Sequence, residues 1–185
     1  MQERTPSTSS SSLAGSLLLA HPALKDSNFR RTVILMTADT KDGAMGVVIN
    51  RPAGRSLASL GGDFALGPLA DVPLYLGGPV QTKQLILAAW QSQPHGFQLH
   101  LGIEPEAAGS LLFEPDTHVR AYFGYAGWSP GQLRNELKHN TWLVADAPPD
   151  LFKQPGDLGL WRSSLAKEGD DWLLMAGEPD DPANN

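Results

Sequence analysis

The sequence predicts a folded protein of mixed α and β structure in which strands outnumber helices. An apolar share of 41% with five tryptophans is typical of a globular chain. Short runs of apolar residues, or of alternating apolar and polar residues, recur along the chain and are separated by Gly and Pro. This pattern is typical of strands joined by turns. Only a few stretches have helical spacing, and a length of 185 residues suits one domain.

The first part of the chain is predicted to form strands. Apolar residues predict strands over Ser16 to Ala20 and Thr32 to Met36. The first of these also resembles the core of a signal peptide, but Glu3, the serine run and the lack of a clear cleavage site favour a strand. Asp42-Gly43 predicts a tight turn, after which Ala44 to Asn50 returns antiparallel to the second strand.

The middle of the chain begins with a helical turn near Ser56 to Leu60 and a long loop rich in Gly and Pro. Strands are then predicted over Leu74 to Leu76, Leu85 to Trp90 and Phe97 to Leu101. A helix over Val80 to Ala89 is an alternative to the second of these strands. Beyond them we predict a helix from Glu104, a strand over Thr117 to Phe123, a helix over Pro130 to His139, a strand over Thr141 to Ala145 and a helix over Leu158 to Lys167.

The helix predicted from Pro130 has the strongest local signal. Ser129 is suited to capping, Pro130 would occupy the first helical position, and Gln132 completes a capping box. The same residues fit the G-x-S-x-G pattern of a hydrolase nucleophile. Pro130 has no N–H to donate to an oxyanion, however, and the only later histidine is His139. We therefore expect Ser129 to cap a helix rather than to attack a substrate.

Charge and composition narrow the classes of function. The chain has 14 basic and 20 acidic residues, for a net charge of −6, which disfavours direct nucleic-acid binding. Residues 1–55 carry +3 and residues 56–185 carry −9. The absence of cysteine excludes disulfides and thiol catalysis and fits the cytoplasm. No apolar run approaches the roughly 20 residues of a membrane span.

Several motifs in order resemble the YqgE/AlgH family of small bacterial proteins. They are Leu17 to Pro22 with Asp26 and Phe29, Gly43 to Pro52, Tyr75 to Val80, and Gly124 to Trp128 followed by Pro130 to Leu133 and Glu136. The resemblance implies a single α+β domain with a strongly curved, mixed, mostly antiparallel and barrel-like sheet flanked by helices. It also implies an older description as a transcriptional regulator and no established activity. We expect a disordered Ser-rich tail over 1–12, the domain over 13–176, and a frayed acidic tail over 177–185.

Three groups of residues are candidates for a shared binding site. Each group lies at the end of a predicted strand and contains residues that constrain or expose the backbone. The groups are Asn50 and Arg51, Gly77 and Gly78, and the segment Tyr125 to Gln132, which includes Trp128. Strand ends of a curved sheet can meet at one rim, where Arg51 would supply charge and Tyr125 or Trp128 a wall. The alternative is that all three are turns required by the fold.

These observations lead to a hypothesis of function and two alternatives. We expect a non-enzymatic cytoplasmic protein that acts through contacts with a protein partner and has a regulatory effect on transcription. The first alternative is a module, or an enzyme of unknown reaction, that binds a small or anionic molecule at the rim. The second is a direct DNA-binding regulator, which would need a basic face. No cofactor or metal motif is present.

Overall fold

The computed structural model describes residues 11–177, and the predicted tails lie mostly outside that range. Nine strands form one mixed sheet: β1 Ser16–Ala20, β2 Val33–Thr40, β3 Gly43–Val48, β4 Pro52–Ser56, β5 Pro73–Leu76, β6 Val80–Gln93, β7 Gly96–Leu101, β8 Thr117–Trp128 and β9 Trp142–Asp146. The helices of the described residues are α1 Pro105–Leu111, α2 Gln132–Lys138, α3 Leu158–Glu168 and α4 Asp170–Gly177, with 3-10 turns at Leu57–Leu60, Gly62–Phe64 and Leu151–Lys153. The α+β prediction is confirmed.

Strand β8 is the centre of the sheet. It pairs parallel with β5 and antiparallel with β6 and β3, and the strand order along the main path is β4-β5-β8-β3-β2-β1-β9. Strand β7 extends the sheet through β6. The sheet is large and curved but not closed, so its edges remain at β4, β7 and β9.

Apolar side chains on the two faces of this curved sheet form three buried clusters. The largest packs α3, α4 and the turn near Phe152 against β1, β2, β6 and β8, and it includes Trp90, Tyr122 and Trp161. The second lies between β1–β3 and α2 and includes Trp128. The third lies under α1 and the 57–72 segment and includes Val119 and Ala121. Successive residues of β8 thus serve opposite faces, as the pleat of a strand requires.

Most predicted strands are confirmed, but several bounds are wrong. β6 starts at Val80 and β8 continues to Trp128, beyond the predicted ends, and the alternative helix over Val80 to Ala89 is wrong. β4 and α4 were not predicted. β4 has the sequence Pro-Ala-Gly-Arg-Ser, which is tolerated because it lies at the end of the sheet, where a proline costs no ladder hydrogen bond.

The predicted start of α2 at Pro130 is also wrong. The helix begins at Gln132, and Gly131 before it has a φ of 79° and a ψ of −15°. With the Gln132 N–H donating to the Ser129 carbonyl at 3.1 Å, residues 129–132 form a type II turn that has Pro and Gly at its two central positions. The Ser129 hydroxyl caps no backbone N–H; it donates to Gln132 Oε1 at 3.2 Å.

Candidate functional site

Arg51 lies between β3 and β4 and fastens the turn before β2. Its Nη1 donates to the Asn28 carbonyl at 2.5 Å, and its Nη2 donates to the carbonyls of Arg30 at 3.1 Å and Ser27 at 3.3 Å. Burial, with the nearby charge of Arg30, lowers the pKa of the Arg51 guanidinium. Much of the donor capacity of this side chain is therefore spent inside the protein.

Asn50 has a structural role beside it. The side chain is buried, its Oδ1 accepts from the Val33 N–H at 2.8 Å, and its Nδ2 donates to the Arg31 carbonyl at 2.9 Å. These two bonds replace ladder contacts at the end of β3, where the backbone leaves the sheet. Both polar atoms of the Asn50 amide are therefore engaged within the fold.

Gly77 and Gly78 allow the backbone to cross close to β8. The Gly77 N–H donates to the Phe123 carbonyl at 2.7 Å. A Cβ on Gly77 would lie 2.3 Å from the Gly124 oxygen, and one on Gly78 would lie 2.2 Å from the backbone of Tyr125. No side chain fits at those distances, so close approach to another strand explains both glycines.

The three groups of candidate residues meet only in part. Arg51 and Gly78 share a cleft of about 200 Å³, whose other lining residues are Asn28, Leu76, Pro79, Thr82 and Phe123. The Tyr125 backbone touches Gly78, but Tyr125 and Trp128 line a separate shallow surface with Val80 and Gly43. Gln132 is on α2, beyond Trp128, and does not line the Arg51 cleft.

Trp128 and Gln132 belong instead to a polar network centred on Glu136. Glu136 Oε2 accepts from the indole N–H of Trp128 at 2.9 Å and of Trp142 at 2.7 Å, and Oε1 accepts from Gln132 Nε2 at 2.9 Å. The two indoles meet edge to face, with ring centroids 6.2 Å apart. This network joins the end of β8 to α2 and β9.

A larger cleft, of about 430 Å³, opens beside the first residues of β8 and was not found by the sequence reasoning. One wall comes from the loop before β5 and the end of α1, the other from the 152–155 segment. Its lining residues are Pro68, Asp71, Val72, Pro73, Tyr75, Leu112, Thr117, His118, Val119, Arg120, Phe152, Lys153, Gln154 and Pro155.

Arg120 holds the second wall of this cleft in place. It is 4% exposed, and its Nη2 donates to the carbonyls of Phe152 at 3.1 Å and Gln154 at 2.8 Å. Its guanidinium carbon lies 4.3 Å from the ring centroid of Phe152 and 4.9 Å from that of Tyr75. Among the described residues no carboxylate pairs with Arg120, and its Nη1 has no hydrogen-bond partner.

Charges of both signs lie at this cleft, with Arg120 and Lys153 opposed by Asp71 and Asp116. Burial lowers the pKa of His118, as do the charges of Lys153 and Arg120, and these effects outweigh the opposite effect of Asp116. Lys153 Nζ lies 3.1 Å from Asp116 Oδ1 in an exposed ion pair. An arginine between the buried Val119 and Ala121 in a predicted strand was the available sequence signal for this site.

The described residues contain no cluster suited to a metal ion, and Ser129 has no base beside it. Within that part of the chain, no group of three His, Asp or Glu side chains is placed to hold a metal ion. The Ser129 hydroxyl hydrogen-bonds to an amide oxygen, which cannot act as its general base. No helix among the described residues is long and apolar enough to cross a membrane.

The fold is that of a small α+β domain built on an open, curved sheet. The AlgH-like family model (DUF179) matches residues 17–173, and the chain belongs to this family. A UPF0301 protein of Streptomyces coelicolor is 36% identical over 191 residues, covering 96% of this chain and 98% of the relative. One from Myxococcus xanthus is 36% identical over 171 residues, covering 88% and 94%. The family resemblance predicted from the motifs is confirmed.

Two solved structures share the fold. The crystal structure of protein DIP2367 from Corynebacterium diphtheriae matches with a TM-score of 0.71 at 22% identity, covering 96% of this chain and 95% of that one. The solution structure of the AlgH protein from Pseudomonas aeruginosa matches with a TM-score of 0.64 at 28% identity, covering 97% and 98%.

Proposed function

We propose that the chain is a non-enzymatic cytoplasmic protein that acts by binding a protein partner at the surface around the β8 cleft. One observation carries this proposal: two large apolar side chains, close in sequence to residues that line the cleft, are largely exposed. Leu66 is 97% exposed and Phe113 is 78% exposed. Such side chains beside a concave, partly apolar cleft are typical of an interaction site.

Leu66 and Phe113 lie on two segments that are packed together. Leu66 precedes Pro68, Phe113 follows Leu112, and both Pro68 and Leu112 line the cleft. A Cβ on Gly109 of α1 would lie 3.6 Å from the Pro68 ring, so the loop and the helix are in contact. Any effect on transcription would follow from the partner and would not require this chain to touch DNA.

Position-specific cross-linking in cells tests this proposal. A photo-reactive phenylalanine analogue replaces Phe113 in one chain and Leu174, which is 73% exposed on α4, in a matched control. We expect a discrete cross-linked protein at position 113 that is absent at position 174. Phe113→Ser should also abolish its co-purification, and Leu174→Ser should not. Equal cross-linking at both positions, or none at 113, would contradict the proposal.

A second candidate function is the binding of a small anionic molecule where Arg51 and Gly78 share a cleft. The nearness of the two predicted groups supports it, and the three carbonyls already bound by Arg51 weigh against it. Titration of the ¹⁵N-labelled chain with pyrophosphate would test it through the amide signals of Gly78 and Thr82. Shifts confined to those residues and their neighbours are the expected result for this candidate.

A further inference from the structure

In the part of the chain that the structure describes, the first four residues of β8 have a strand on only one side. β6 pairs with β8 from Thr117 to Phe123, but the pairing of β5 with β8 begins only at Leu74 opposite Ala121. On the β5 side, residues 117–120 border the 430 Å³ cleft instead of another strand. The cleft thus occupies the position that an earlier part of β5 would fill.

Hydrogen bonds elsewhere in the sheet show which backbone groups face this gap. The Phe123 carbonyl accepts from the Gly77 N–H, so the odd-numbered residues of this part of β8 face the β5 side. Strand β6 gives the same result. Leu87 pairs with Ala121, and its carbonyl points away from β8 to accept from the N–H of Gly102, just after β7. Since backbone groups alternate along a strand, Thr117 and Val119 direct their N–H and C=O groups into the cleft.

Within residues 11–177, no other segment of the chain fills these positions. The parallel register would place the Pro73 nitrogen opposite the Val119 carbonyl, and proline has no N–H to donate. In the same register the Val119 N–H would lie opposite the Asp71 carbonyl, and no backbone hydrogen bond joins these two groups. Val119 is 5% exposed, and a buried backbone group without a partner is costly.

The two walls of the cleft lie on opposite faces of the sheet and differ in chemistry. Val119 belongs to the cluster with Leu69 and Val72, so that face is apolar. The other face carries the aromatic ring of Phe152 and the basic groups of His118, Arg120 and Lys153, although Asp71 also lines the cleft. An added strand would place alternate side chains against these two different walls.

We propose that this cleft takes an extended segment of the protein partner, which adds a short strand beside Thr117 and Val119. The inference rests on the proposed partner-binding function and specifies how the partner is held. Four residues of strand span roughly 13 Å, so the bound segment is short. Its sequence alternates apolar residues, which face the Val72 wall, with acidic residues, which face Lys153. Main-chain hydrogen bonds supply affinity and the two walls supply specificity, as in other cases of strand addition.

Hydrogen exchange on the free protein tests the geometry first. The N–H groups of His118 and Arg120 face β6 and should exchange slowly, whereas those of Thr117 and Val119 should exchange much faster. Uniform slow exchange over residues 117–120 would show that the gap is already filled and would overturn the proposal. Slow exchange over residues 117–120 in concentrated but not in dilute solution would identify a second copy of the chain as the occupant. That result would also overturn the proposal.

Binding is tested with peptides selected from a random phage-displayed heptapeptide library on the immobilised full chain. We expect selected peptides to alternate apolar and acidic residues and to slow exchange at Thr117 and Val119 when added as synthetic peptides. N-methylation of their backbone should abolish binding. Lys153→Glu should weaken binding on the order of tenfold, and Lys167→Glu, on α3, should leave it unchanged.

These results separate the strand-addition proposal from the partner-binding function. Peptides that bind elsewhere, that fold as helices, or that cannot be selected at all would overturn strand addition. The cross-link at position 113 would still support a partner in that case. The opposite outcome is also distinguishable. If no cross-link forms at position 113 but selected peptides protect Thr117 and Val119, the cleft binds peptides without the surface contact proposed around Phe113.

Discussion

Glu136 shows how one residue can hold three elements together. Its carboxylate accepts from the indoles of Trp128 and Trp142 and from the Gln132 amide. Charged acceptors form stronger hydrogen bonds than neutral ones, and losing one leaves partly buried donors unpaired. The sequence motif that includes Trp128, Gln132 and Glu136 is therefore accounted for by packing.

We predict that Glu136→Gln lowers the free energy of unfolding by about 1–3 kcal/mol. The amide keeps the shape of the side chain but replaces one acceptor oxygen with a donor, which cannot accept from an indole. Urea denaturation followed by tryptophan fluorescence measures the effect. Glu168→Gln, an exposed substitution at the end of α3, is the matched control. Equal midpoints for the two variants would contradict the role given to Glu136.

Ser129→Ala should have little effect on stability. The sequence predicts that the hydroxyl caps a helix, and a cap of this kind is worth about 1 kcal/mol. In the type II turn the exposed hydroxyl bonds only to Gln132 Oε1, which also accepts from the Ser129 N–H at 3.0 Å and keeps that bond in the variant. We expect a change within about 0.5 kcal/mol by urea denaturation and retained partner cross-linking at position 113. A loss near 1 kcal/mol would restore the capping interpretation.

His118 should make stability depend on pH. Burial and the charges of Lys153 and Arg120 lower its pKa in the folded state, whereas the unfolded chain has the ordinary value of about 6.5. As pH falls below that value the unfolded state binds the proton first, so stability decreases. Urea denaturation between pH 7.5 and 5.5 should show a smaller decrease for His118→Asn than for wild type. His95→Asn, in the β6–β7 turn, controls for the substitution, and an unchanged pH dependence in His118→Asn would refute the prediction.

At the scale of elements, local sequence predicted strands better than it predicted where they end. The run Gly124 to Trp128 contains two glycines and a turn-like composition, so the strand was predicted to stop at Phe123. In the structure β8 continues because its partners β3 and β6 reach that far. Partners distant in sequence leave no local signal, and the same reason explains why the cleft beside Thr117 was missed.

The segment that connects β5 to β6 passes close to β8, and we expect this close approach to require glycine at position 78. Its φ of 151° is disfavoured for other residues, and a Cβ would lie 2.2 Å from the Tyr125 backbone. We predict that Gly78→Ala costs more than about 4 kcal/mol or prevents folding. Gly54→Ala is the control, since Gly54 also has positive φ but no atom within 4 Å of an added Cβ, and it should cost about 1 kcal/mol. Circular dichroism and urea denaturation measure both, and comparable losses would contradict the close-approach explanation.

At the scale of the whole molecule, three arginines serve the fold. Arg51 binds three carbonyls, Arg120 is buried between aromatic rings, and Arg134 bonds to Asp39 at 2.6 Å. The family, and with it the fold class, could be predicted from short motifs. The binding surfaces could not, because they depend on which strand edge stays open and on which cations are already engaged.

We therefore predict that the isolated protein binds no DNA sequence specifically at physiological salt. Affinity for DNA depends on releasing counterions from phosphates, which needs free basic side chains, and this chain has a net charge of −6. Fluorescence anisotropy with a set of labelled promoter fragments, measured at about 20 mM and about 150 mM salt, provides the test. Any weak binding at low salt should be equal across sequences and vanish at the higher salt. A sequence-dependent complex of nanomolar affinity at about 150 mM salt would instead show a recognition surface in this protein and would displace partner binding as the basis of any effect on transcription.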